Sequence, residues 1–201
     1  MLLHRIVRVL QVLVLAVAID ALGYYAYIKI DAIRFEIRSA RQFAEELRHR
    51  ATPAVPGPSA PSPAPTPAPA LHDGQTLGKI QIPRLGLSAM VVEGDSAADL
   101  RRAAGHIPGT SLPWQAGNVG VAAHRDTYFR SLRLIRPNDV ITLTTLEGVY
   151  RYRVVSTQVV TPDDVAVLAS TGRDALTLVT CFPFYYVGAA PRRFIVHASR
   201  G

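Results

Sequence analysis

A chain of 201 residues, 49% hydrophobic and 18% charged, holds one globular domain with room for further segments. Its single cysteine excludes an internal disulfide. A net charge of +7 and a pI near 10.0 raise nucleic acid or an anionic membrane as partners. The basic residues are scattered, however, with no basic run interleaved with aromatics, and this argues against nucleic-acid binding.

After a short N-terminal segment, residues 1–8, the span from Val9 to Ile30 is the most apolar part of the chain. Leu10 to Ile28 is long enough to cross a bilayer, and Tyr24, Tyr25 and Tyr27 sit at one end, where an aromatic belt belongs. Asp20 is the awkward residue, costing roughly 2.5–3.5 kcal/mol at mid-span. A cleaved signal peptide with Ala16-Val17-Ala18 as its cleavage site competes with this reading. An uncleaved single-pass anchor is preferred because the apolar run continues well past that site. Arg5 and Arg8 precede the span while Lys29, Arg34, Arg38 and Arg41 follow it, so charge alone would put the C-terminal side in the cytoplasm.

Asp31 to Arg50 reads as an amphipathic stalk helix, with Ile33, Ile37, Ala40, Ala44 and Leu47 on one stripe. It extends the membrane helix, lies on the headgroups, pairs with a second copy, or is simply solvated; the spacing does not choose. Residues 51–76 read as a linker whose first twenty carry a proline at nearly every second or third position. Such a stretch buries too little apolar surface to fold, and at about 3.1 Å per residue it would reach roughly 60 Å. A proline-rich ligand for a recognition domain is the other reading.

Residues 77–201 change texture to a folded, mostly β domain. Strands are expected at Gly78–Pro83, Leu87–Val92, Asn118–Ala123, Val140–Thr144, Val149–Val160, Ala175–Thr180 and Arg193–Ala198, from their β-branched, alternating runs. Leu146-Glu147-Gly148 turns a hairpin. Asp95 to Ala104 opens with cap residues and ends at Gly105, as a helix does. Short helical turns are expected at Thr127–Arg133 and Asp163–Ala169. Seven or so strands with few helices suggest a closed or nearly closed barrel.

The strand Ala175–Thr180 delivers the lone Cys181, and Phe182-Pro183 stops it. A cysteine at a strand's end is either a presented nucleophile or, as most free cysteines are, a small buried hydrophobe. A nucleophile needs a proton partner. His4, His49 and His72 lie outside the folded domain, leaving His106, His124 and His197. His124 follows a strand and precedes Arg125-Asp126, so it sits at a rim, whereas His106 lies in what reads as a turn and His197 in the last strand. Each alone is most simply a structural histidine. Arg192 and Arg193 open the final strand, and alternation turns one of them inward. An arginine, charged at any working pH, suits an oxyanion donor that transfers no proton. No metal-ligand spacing, phosphate loop, dinucleotide fingerprint or serine-hydrolase elbow stands out, so no cofactor is expected.

Taken together, Thr177-Leu178-Val179-Thr180-Cys181, Ala123-His124-Arg125-Asp126-Thr127, Arg193-Phe194-Ile195-Val196, Gly78-Lys79-Ile80-Gln81-Ile82-Pro83 and Gly105-His106-Ile107-Pro108-Gly109-Thr110 resemble the sortases, class D first and class E next. The resemblance implies an eight-stranded β-barrel and a membrane-anchored cysteine transpeptidase. It implies Cys181 as nucleophile, His124 as general acid/base and Arg193, which directly precedes an apolar triplet, as oxyanion or substrate-carbonyl donor. Thr180 would line the sorting-signal groove, and Arg192 would contact substrate beside it. An LPxTG-like signal at the C-terminus of secreted proteins would be cleaved through a Cys181 thioester. An amine acceptor, a peptidoglycan precursor or pilin lysine, would then resolve it. That chemistry places the domain outside the cytoplasm, against the charge signal. Two positions depart from the family: Ala123 stands where glycine usually precedes the histidine, and Trp114 where glycine often follows Leu-Pro. They imply a tighter approach to His124 and a reshaped groove wall. Another envelope cysteine acyl enzyme of the L,D-transpeptidase type, or a silent membrane-tethered interaction barrel, are the alternatives; the first carries glycine where Thr180 stands.

Overall fold

In a computed structural model that describes residues 2–51, 71–170, 172–186 and 188–201, eight strands close on themselves. They are β1 (Thr76–Ile82), β2 (Leu87–Glu93), β3 (Ala104–His106), β4 (Asn118–Ala122), β5 (Val140–Thr145), β6 (Val149–Val160), β7 (Ala175–Phe182) and β8 (Arg192–Arg200). Around the barrel they run β1-β2-β3-β4-β7-β8-β6-β5, and β5 returns to pair with β1. Two pairs are parallel, β2 with β3 and β4 with β7; the others are antiparallel. Closure leaves no sheet edge.

Alternation decides what is inside. Ile80 and Ile82, Val119 and Val121, Leu176 and Leu178 point inward and are fully or almost fully buried, with Phe129 and Leu132 closing the core from a connection. At the β1/β5 seam the backbones come so close that a Cβ on Gly78 would sit 2.1 Å from the Thr144 carbonyl oxygen. Only glycine fits there.

Three local expectations change. The helix expected over Asp95–Ala104 is a single turn, α2 (Ala97–Leu100), capped by the Ser96 side chain, which accepts from the Asp99 N–H. The chain from Ala104 is then claimed by β3, where pairing with both β2 and β4 outweighs local helix propensity. His106 therefore lies in a strand rather than a turn. Its structural role is as expected: it is buried, with Nδ1 2.8 Å from Glu93 Oε2 and Nε2 3.1 Å from both Thr110 Oγ1 and the Ser111 carbonyl. The two expected helical turns are 3-10 turns at Arg130–Leu134 and Val165–Leu168.

The segments expected as membrane span and stalk form one continuous helix, α1 (Leu2–Ala51). Its first half is apolar, with a mean hydropathy of 2.2 over its best window, and its large side chains are exposed. Its second half lies on the barrel. Ser39 and Phe43 are buried, Asp31 pairs with Arg102 at 2.9 Å and Arg50 with Glu147 at 3.0 Å. The contact has a cause in the sheet. β3 meets β2 only from Val91 onward, and Glu36 Oε1 accepts from the Met90 N–H at 3.0 Å, just beyond β3's reach. Arg50 and Leu71, on either side of the proline-rich stretch, border one cleft, so the barrel is not held away from α1. The linker expected at 51–76 falls largely at residues 52–70, outside the described residues.

Candidate active site

Strand register sets two of the three candidate side chains side by side and brings the third to the end of the neighbouring strand. β7 pairs antiparallel with β8 so that Cys181 is opposite Arg193, and residues directly opposite project from the same face about 5 Å apart. β4 pairs parallel with β7 up to Ala122 opposite Val179, and the Ala123 N–H donates to the Val179 carbonyl at 3.2 Å, extending the ladder. Two residues further on, His124 falls level with Cys181. Parallel neighbours lie about 4.8 Å apart. Thiol and guanidinium thus share the outer face of β7 and β8 at one rim of the barrel, and His124 leaves the end of the adjacent β4 at that rim. Cys181, His124 and Arg193 are each half-buried, so the sulfur is neither sealed in the core nor loose in solvent.

Each is held by its neighbours. On β7 the inward residues are Leu176, Leu178 and Thr180, and this parity turns Val179 and Cys181 outward. The rim beneath is filled by Phe182, Phe184 and Phe194, with ring centroids 5.3–6.4 Å apart. His124 is fixed from behind: its carbonyl accepts from the Phe129 N–H at 3.1 Å, and the Phe129 ring is fully buried. Arg193 donates to the carbonyls of Ala190 and Arg192 at 3.3 and 3.2 Å, which ties its guanidinium to the β7–β8 connection.

Four expectations are corrected here. Thr180 does not line a groove; it is 2% exposed and faces the barrel interior, on the opposite side of β7 from Cys181. Its hydroxyl donates to the Ala123 carbonyl at 2.7 Å, so it positions the residue before His124. Arg192 is opposite Phe182, one step out of phase with Arg193, and alternation turns it off the Cys181 face. The Ala123 methyl is buried in the core and does not crowd His124. Trp114 packs beside Leu112 and His106 in a different cleft, one that touches none of the three candidate residues.

Arg125 is a positioning residue to which the sequence assigned no role. Its Nη2 donates to the carbonyls of Tyr186 and Gly188 at 2.6 and 3.0 Å, and its guanidinium lies 6.0 Å from the Tyr186 ring centroid. It therefore ties the β7–β8 connection to the residue next to His124. The available signals were its adjacency to the histidine and its place in the motif Ala123-His124-Arg125-Asp126-Thr127. Asp126 is exposed and in no ion pair among the described residues. His197 hydrogen-bonds Gln158 and Thr177 at 3.0 and 3.3 Å, and burial pushes its pKa down, as a structural imidazole's would be. Among the described residues no group of three or more His, Cys, Asp or Glu side chains gathers as a metal site.

Such an arrangement can attack a peptide carbonyl, hold the resulting oxyanion and move one proton. A family model described as Sortase domain matches residues 80–201. Sortase D of Bacillus subtilis (strain 168) is 34% identical over 128 residues, a match covering 63% of this chain and 65% of that protein, just under two thirds of its length. The structure of Sortase A from Corynebacterium diphtheriae is 29% identical with a TM-score of 0.60, covering 64% of this chain and 62% of that one. A Clostridium perfringens Sortase D5 transpeptidase shares the fold, with a TM-score of 0.64 at 22% identity, covering 85% of this chain and 98% of that one.

Proposed function

The chain belongs to the sortase family, and on that premise we propose that it is a membrane-anchored cysteine transpeptidase acting on an LPxTG-like sorting signal. The observation that supports the reading is the pairing of Cys181 with Arg193 across β7 and β8, with His124 two residues past the end of the neighbouring β4. The thiolate of Cys181 adds to the carbonyl carbon of the scissile peptide bond, and the electron pair of the C=O moves to oxygen. Arg193 donates to that oxyanion without giving up a proton. As the C–N bond breaks, imidazolium at His124 protonates the departing amine, leaving an acyl thioester on Cys181. His124, now neutral, takes a proton from an incoming primary amine, which displaces the sulfur and forms the new amide. Water in place of the amine gives hydrolysis. Every step uses side chains of this chain, with no cofactor.

α1 supports the location. Its exposed apolar half would cross the membrane once, and the barrel packed on its second half would face the side where secreted substrates emerge. The amine acceptor is a peptidoglycan precursor or a pilin lysine, and nucleic acid is not a partner.

The test is peptide exchange by the full chain in detergent. It should release the C-terminal fragment of an LPxTG-type peptide and couple an added amine in its place. Cys181→Ala should trap no thioester, and His124→Ala should lose several orders of magnitude in turnover. Failure to cleave any member of a sorting-peptide library, with no accelerated alkylation of Cys181, would overturn the proposal.

A further inference from the structure

From Ile28 and Lys29 of α1 onward, a cleft of about 770 Å³ opens between α1 and the barrel and runs as far as His124. Apolar side chains line its α1 wall and part of the facing barrel wall, among them Ile33 and Leu87. Four cations border it: Lys29 from α1, and Arg101, Arg130 and Arg133 from barrel connections. Against them stand two carboxylates, Glu36 and Asp126. All four cations are exposed, and none is in an ion pair among the described residues. Lys29 lies over the Tyr25 ring and Arg133 over the Tyr185 ring, each at 5.7 Å, and Arg133 Nη1 also donates to the Arg130 carbonyl at 3.4 Å. Of the two, Glu36 has one oxygen engaged by the Met90 N–H and its pKa raised by burial, and Asp126 is exposed at the cleft's edge.

We propose that this cleft binds the phosphate headgroup of an anionic phospholipid, with the acyl chains lying along the exposed apolar turns of α1. The inference rests on reading α1 as a membrane span. A span ending near Ile28 puts Lys29 at headgroup level, and the three arginines face the same cleft from the barrel. Basic clusters at this depth draw anionic lipid, and the attraction falls with salt. Arg101 and Arg130 present forks with no carboxylate to occupy them, the geometry that takes phosphate. A bound headgroup would bridge α1 and the barrel and set the height of the His124 end of the site above the membrane.

The full chain in detergent, titrated with phosphatidylglycerol or phosphatidylcholine and read by native mass spectrometry, tests this. Wild type should retain one phosphatidylglycerol per chain at concentrations where phosphatidylcholine is not retained. R101Q/R130Q/R133Q should lose that preference at least about tenfold, since each basic residue contributes roughly fivefold near a charged surface. R101K/R130K/R133K, which keeps the charge but loses the forks, should fall between wild type and the glutamine variant. Equal retention of the two lipids by wild type, an unchanged preference in the glutamine variant, or equally tight binding of soluble glycerol phosphate would overturn the proposal. Carbonate-resistant association with phosphatidylcholine vesicles separates the premise from the inference. Wild type that washes off refutes the membrane span and this site with it. Wild type that stays inserted without preferring phosphatidylglycerol refutes the site alone.

Discussion

Thr180→Val replaces a hydroxyl by a methyl of nearly the same volume at a position with 2% exposure. The barrel keeps its packing and the Ala123 carbonyl loses a donor that now lies 2.7 Å away. An acceptor left unsatisfied in a buried setting costs about 1–3 kcal/mol. For a domain of this size that lowers the melting midpoint by about 5–10 °C. The carbonyl belongs to the residue before His124, so relaxation there tilts the strand end that levels the imidazole with Cys181. A misplacement on the order of 1 Å costs roughly a hundredfold in rate. Peptide exchange by the full chain should therefore show kcat reduced about 10- to 100-fold with KM nearly unchanged, because Thr180 touches no substrate. Thr180→Ser keeps the donor and should recover most of both losses. A rise in KM at unchanged kcat would restore the groove-lining role that the sequence suggested. A melting midpoint equal to wild type would refute the hydrogen bond's part in holding the strand end.

The two adjacent arginines should separate sharply. Arg193→Ala should lose about 10²–10³ in kcat as an oxyanion donor disappears, and Arg192→Ala should stay within about threefold, so equal losses in steady-state exchange would undo the register argument. Asp139 accepts both arms of the Arg84 fork, Nη2 to Oδ2 at 2.6 Å and Nε to Oδ1, together with the Arg136 N–H at 2.8 Å. The Arg84 guanidinium holds its carboxyl below the usual range, so its contribution is present above the unfolded pKa of about 4 and is lost as pH falls through the lower folded value. Urea midpoints of Arg84→Gln and wild type should differ near pH 6 and converge well below about pH 4; a gap that is the same at both ends contradicts the linkage. At the β1/β5 seam, Gly78→Ala drives a Cβ against the Thr144 carbonyl, and chemical denaturation should show a loss of about 2 kcal/mol or more. An unchanged midpoint there would mean the barrel does not close through this contact.

Much of the fold was legible in the chain because its determinants are local. Val149–Val160 and Ala175–Thr180 are β-branched runs that form strands in nearly any pleated setting, and β6 has the expected bounds while β7 extends two residues further. The apolar run of α1 shows its length whatever it packs on. β3 was not legible. Three residues, Ala104–His106, carry no periodicity, and only neighbours on both sides make them a strand.

For the site, the residue types placed Cys181 and His124 at strand ends, and it was the resemblance to the sortases that singled out these two and, through Phe194-Ile195-Val196, Arg193 over Arg192. What the linear order did not reveal was direction. Thr180 and Cys181 are adjacent in sequence yet point to opposite faces, and which face is core depends on β4 and β8, 50 or more and about a dozen residues away along the chain. The docking of α1 on the barrel is of the same kind: Glu36 finds the Met90 N–H only because β3 is too short to take it. Chemistry per residue is a local property and is written in the sequence, whereas facing and partnership arise when distant strands fix register, and only the folded barrel decides them.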